Sequence, residues 1–184
     1  VDFLQKEALD VLPELLEKLN LHKKKIILIG HSDGGSIAIM YASKFGENVA
    51  GLVVMAPHVL IEDWSLKGIH SAIDAYKNKD LRERLIKYHG ENTDSMFNSW
   101  VNIWTTEEGH HWNIEDFLPG ITAPLLFIQG ENDNYGTVVQ QNSVINGVSG
   151  YAEGLMIPDI GHFPHLESKN LVLDKIHEFI QKQF

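Results

Sequence analysis

The stretch IILIGHSDGGSIAIM, from Ile26 to Met40, constrains this chain more than any other. An apolar run ends at Gly30, three polar residues follow, and Gly34 and Gly35 lead into a second apolar run. KKKIILIG (23–30) has the look of a strand buried on both faces, and SIAIMYASKF (36–45) that of a helix stopped at Gly46. Ser32 occupies the corner between them, with His31 and Asp33 on either side. The pattern G-x-S-x-G at a strand-to-helix turn pushes the serine into a strained backbone conformation and lifts its hydroxyl clear of the sheet. Side chains at positions 30 and 34 are expected to collide with neighbouring chain, so both call for glycine. Gly35 lets the helix lie close to the sheet. The helix also aims its first amides at the serine, where negative charge develops during acyl transfer. Ser32 is therefore a candidate nucleophile; the plainer alternative is an ordinary turn serine.

The rest of the chain repeats the alternation. VAGLVVMA (49–56), APLLFIQG (123–130) and YAEGLMIP (151–158) read as further strands. TVVQQNSVI (137–145) and residues 167–183 read as helices. Residues 3–19 form an amphipathic helix through Leu9, Leu12, Leu16 and Leu19, which Pro13 should kink or restart. Strands alternating with helices predict an α/β fold, a parallel sheet covered on both sides. Residues 58–118 break the alternation and hold all four tryptophans, Trp64, Trp100, Trp104 and Trp112. They read as a helical insertion that either packs its own small core or lends aromatic side chains to a pocket.

A serine hydroxyl is a poor nucleophile at neutral pH and needs a base, which in turn needs an orienting carboxylate. His162, after Gly161 and just past the last strand, is the candidate base; His165 competes from the start of the last helix. Asp133, three residues after Gly130, is the candidate acid. Glu131 is nearer the strand and is expected to be solvated, and Asp159 is too close to His162 in sequence. His58 follows the second strand, where it either faces substrate above Ser32 or anchors the insertion by a hydrogen bond. His31, Trp100 and Trp104 join it as candidate pocket residues. The adjacent pair His110-His111 points in two directions and no carboxylate spacing completes a site, so no metal is expected.

Composition narrows the partners. Fifteen basic against 25 acidic residues leave a formal net charge of −10, which repels phosphate backbones and anionic lipid. No run approaches the ~20 apolar residues of a membrane span. Cysteine is absent, which excludes thiol catalysis and disulfides. A small-molecule substrate is the expected partner, and the cytoplasm the expected location. The start Val1-Asp2-Phe3 lacks an initiator methionine.

On GHSDGG at the corner, a helical insertion after the second strand, GENDNYGT around Asp133 and GHFPH around His162, the chain resembles the α/β-hydrolase fold family over nearly its whole length. The resemblance implies a core of residues 1–57 and 119–184 with a helical cap at 58–118. It also implies cofactor-independent hydrolysis of an ester or related acyl bond, with the Asp33 amide in the oxyanion hole. The chain order Ser, Asp, His is the one this fold uses. Serine at the corner argues against the epoxide hydrolases and dehalogenases of the same fold, which place aspartate there. The strands that precede the corner in this family have no match here, and neither does the loop that donates a second oxyanion amide. The chain is accordingly expected to be an N-terminally truncated fragment of weak or no activity; the alternatives are pairing with a second copy along the exposed edge of the Ser32 strand, or a different small fold. Rival functions are a catalytically silent module that binds a ligand or partner chain, and an acyltransferase or carbon–carbon hydrolase on the same residues.

Overall fold

The computed structural model describes residues 2–184. Its four strands, β1 (Ile26–His31), β2 (Val49–Met55), β3 (Leu125–Gly130) and β4 (Ala152–Ile157), form one parallel sheet in the order β1-β2-β3-β4. The central pair carries the longest apolar runs, and all of β3 and nearly all of β2 are buried. This is the pattern expected of strands covered by helices on both faces. The edge strand β1 departs from that pattern. Ile29 is 55% exposed, so the apolar run that looked doubly buried is covered on one side only. Among the described residues no strand pairs with the outer edge of β1.

The helices are α1 (Phe3–Lys6), α2 (Leu12–Lys18), α3 (Asp33–Lys44), α4 (Asp63–Asn78), α5 (Leu81–His89), α6 (Thr93–Trp104), α7 (Glu107–His110), α8 (Val138–Gly147), α9 (Pro164–Glu167) and α10 (Lys169–Gln183). Against one face of the sheet, Leu52, Val54, Leu125 and Phe127 pack with Ala38, Ile39 and Ala42 of α3, with Leu4 and with Val144 of α8. On the opposite face Val53, Leu126, Ile128 and Ile157 meet Val172 and Phe179 of α10. Pro13 does not kink the first helix but restarts it. A π-helical turn over Glu7–Val11 separates α1 from α2, which begins with the proline in its first turn. A widened turn removes the clash between a proline ring and the carbonyl four residues back.

Residues between β2 and β3 fold as α4–α7. This segment leaves and re-enters through a single antiparallel bridge, Leu60 with Asn113, supported by Ile114 N–H donating to Val59 O at 2.7 Å. Glu62 ties its first turn down: the carboxylate accepts from Thr137 N–H and Oγ1 (3.0 and 2.6 Å) and from Gln140 Nε2 at 2.7 Å. At the same point Glu62 and Ser65 form a reciprocal capping box on α4. Among the described residues no helix is long and apolar enough to cross a membrane.

Candidate active site

Because the sheet is parallel, the carboxyl ends of all four strands open on one rim, where ligands bind in folds of this class. Ser32 directly follows β1 and precedes α3. Its φ of 53° and ψ of −125° lie far from the regions that L-residues favour. Three backbone bonds hold that conformation: Ser32 N–H donates to Met55 O at 2.9 Å, and its own carbonyl accepts from Gly35 N–H at 2.8 Å and from Ser36 N–H at 3.2 Å. Gly30 is required, since a Cβ there would strike the carbonyl of Gly34. Gly34 is different from what the motif suggests. A Cβ at that position meets nothing within 4 Å, so no steric demand for glycine exists there.

His162 follows β4 and Asp133 follows β3, and the structure brings both to Ser32. Ser32 Oγ donates to His162 Nε2 at 3.0 Å, while the His162 Nδ1–H faces both carboxylate oxygens of Asp133, each at 3.0 Å. That polarity sets the tautomer: with the proton on Nδ1, Nε2 is free to accept one from the hydroxyl. Asp133 is 2% and His162 8% exposed, so the carboxylate needs several donors. It has them in Tyr135 N–H to Oδ1 at 2.8 Å and Gln129 Nε2 to Oδ2 at 3.1 Å. Gln129, a polar residue inside an otherwise apolar strand, also donates to Gly136 O at 2.9 Å and so closes the acid loop. From the helical segment, Trp64 Nε1–H donates to Asp133 O at 2.8 Å. The competing acids Glu131 and Asp159 are both exposed.

His31 does two things at once. It borders the cavity above Ser32, and its Nε2–H donates to the His162 carbonyl at 2.7 Å, tying the serine corner to the histidine loop. His165 lies behind it, ring centroids 4.7 Å apart, and does not border the cavity.

That cavity, about 340 Å³, opens over Ser32. Ser32, Asp33, His31, His58 and His162 border it from the strand ends, and Trp100 and Trp104 from α6. Ile61, Ser65, Ile69, Tyr135 and Phe163 border it too and were not among the expected pocket residues. His58 is wedged between Trp104 and Trp112, with centroids 5.1 and 5.0 Å away. Its carbonyl accepts from Ser36 Oγ at 2.6 Å, so it both anchors the chain and faces the cavity. Burial pushes the His58 imidazole down to about 4 and the Asp33 carboxyl up to about 6. Asp33 opens α3, where the helix dipole favours an anion, yet desolvation outweighs it. Among the described residues no group of three His, Asp or Glu could hold a metal ion, and the exposed pair His110-His111 stands alone.

A hydroxyl bonded to an imidazole whose far nitrogen faces a buried carboxylate is an arrangement suited to nucleophilic acyl transfer. The sequence profile described as the Alpha/beta hydrolase family matches residues 2–174. A Haemophilus influenzae protein provisionally named an esterase/lipase is 26% identical over 192 residues, covering 89% of this chain and 63% of its own length. A second such protein, from Mycoplasma pneumoniae, is 24% identical over 178 residues, covering 85% of this chain and 64% of its own length. This chain thus spans just under two thirds of those relatives. Among solved structures, a thermophilic esterase from Thermogutta terrifontis superposes with a TM-score of 0.62 at 22% identity, covering 94% of this chain and 70% of its own.

Proposed function

This chain belongs to the alpha/beta hydrolase family, and on that premise we propose that it carries the chemistry of a serine hydrolase acting on a small ester or related acyl compound. The observation that carries the proposal is the unbroken line Ser32 Oγ, His162, Asp133, with 3.0 Å at each step, beneath an aromatic-walled cavity. Ser32 Oγ attacks the substrate carbonyl as its proton passes to His162 Nε2. The imidazolium is held by Asp133, and the oxyanion takes a hydrogen bond from the Asp33 N–H at the positive end of α3. The tetrahedral intermediate collapses as His162 returns the proton to the leaving alkoxide. Water, deprotonated by the same imidazole, then releases the acid and regenerates the serine.

In this proposal residues 58–118 are a helical cap on a core of 1–57 and 119–184, and Trp100 and Trp104 are its contribution to the pocket. The names of the curated relatives support an ester as substrate. Among the described residues α1, the π-helical turn and α2 precede β1, and no strand there carries a loop to the Ser32 rim as a second oxyanion donor. Loss of one such donor costs on the order of 10²–10³ in turnover. The 184-residue chain by itself is expected to show weak or no activity. The test is labelling with a fluorophosphonate. Modification at Ser32 that Ser32→Ala abolishes supports the assignment; stoichiometric labelling elsewhere, or none, defeats it.

A further inference from the structure

Inside the cavity, Asp33 is a carboxylate with no lysine or arginine partner among the described residues. Among the described residues no lysine or arginine borders the space, whose other walls are histidine, serine, aliphatic and aromatic side chains. The nearest ring nitrogen is Nε2 of His58, 3.5 Å from Asp33 Oδ1, which is a long contact, and that nitrogen is itself buried with no hydrogen-bond partner. His58 cannot swing away, because Trp104 and Trp112 grip its ring and Ser36 grips its backbone. The carboxylate is thus backed by a fixed neutral imidazole on one side and has its free side at the cavity, beside the nucleophile.

A negative group in a partly dry, aromatic space is completed by a ligand that brings positive charge or a hydrogen-bond donor. Trp100, Trp104 and Tyr135 border the same space, and an aromatic ring that turns its face to a ligand attracts a cation. A second carboxylate in the same space has only repulsion to gain. We propose that the Asp33 side chain makes this a charge-selective acyl site, which prefers acyl groups bearing a donor, a protonated amine above all, and rejects those bearing a carboxylate. His58 is the positioning residue behind it. This rests on the serine-hydrolase function proposed above.

The test compares kcat/KM for three p-nitrophenyl esters of similar size: butyrate, 3-aminopropanoate and hemisuccinate. The protein is expected to favour the amine ester over butyrate by about tenfold and to disfavour the hemisuccinate by about tenfold or more, the size of one ordinary charge contact. Asp33→Asn keeps the shape and the backbone amide, and it should bring both ratios within about threefold of unity whatever it does to the absolute rates. Asp33→Ser serves the same purpose if the asparagine variant does not fold. Equal rates on the three esters in the unmodified protein overturn the charge selectivity alone. Ratios that persist in the Asp33 variants overturn it too, assigning the preference to the overall negative surface. Hydrolysis of none of the esters, with no labelling of Ser32, removes the hydrolase function beneath it.

Discussion

The floor and the roof of the cavity are built by different physics. On the floor, Ser32, His162 and Asp133 sit on short connections at strand ends, and directional bonds near 3.0 Å fix each of them. The roof side chains Trp100, Trp104, Ile61 and Ile69 make no such bonds and are held by packing against one another and against His58, Trp112 and Tyr135. Directional bonds set positions to within tenths of an ångström, as proton transfer demands. Packing sets volume and polarity, which is what selection among acyl groups demands. The two are joined at few points, among them Trp64 to the Asp133 carbonyl and Glu62 to Thr137.

Removing a floor residue should sharpen this contrast most. His162→Ala is expected to lower kcat for a p-nitrophenyl ester by about 10⁴-fold or more with little change in KM, and Asp133→Asn by roughly 10³–10⁴-fold. A change confined to KM in either variant breaks the division. The roof should answer in the opposite way. Trp104→Ala opens a void in the packed cluster around His58 and should cost about 3–5 kcal/mol of stability, read by urea unfolding, and raise KM more than it lowers kcat.

The boundary between floor and roof has its own signature in acid. His58 has its imidazole pushed down to about 4, so between there and its ordinary value of 6.5 the unfolded chain binds the proton that the folded one refuses. Its contribution to stability therefore rises with pH across that window, by on the order of 3 kcal/mol at most. Asp33, pushed up to about 6 from 3.8, acts in reverse, and its contribution falls as pH climbs from about 4 to 6. The Asp33 slope is the shallower because the carboxylate is partly solvated. The two should partly cancel in the unmodified protein and leave a small net rise with pH. Asp33→Asn should leave the rising slope, and His58→Phe the falling one, in urea midpoints measured at pH 4.5 and 6. The smallest effect belongs to the tie: Trp64→Phe keeps an aromatic ring, though a smaller one, and loses one hydrogen bond, about 1 kcal/mol, and should lower kcat a fewfold through the Asp133 loop.

What the sequence announced, and what it hid, follows from range. Ser32 is legible because strand, corner and helix are contiguous and the spacing of Gly30 alone reports a tight turn. His162 and Asp133 are legible as residues just past strand ends. The role of Trp64 is not, since its partner lies 69 residues away and nothing near it marks a donor. Gln129 carried a local signal, a polar side chain within a buried apolar run, which only the fold turns into a brace for the acid loop. At Ile29 and Gly34 the local pattern overstated the case. An apolar run reports what a strand can bury, not what covers it, and a motif glycine reports a turn, not a collision.

The bridge between Leu60 and Asn113 has a consequence for how such a molecule can be remade. Both ends of the roof leave the sheet through one doorway a single residue pair wide, and all four strands pair without help from anything beyond it. Cutting there and splicing in a longer, shorter or wholly foreign segment costs little in loop closure, because the two stumps already touch. Diversity in what is admitted can accumulate on one side of that doorway while the machinery on the other stays as it is.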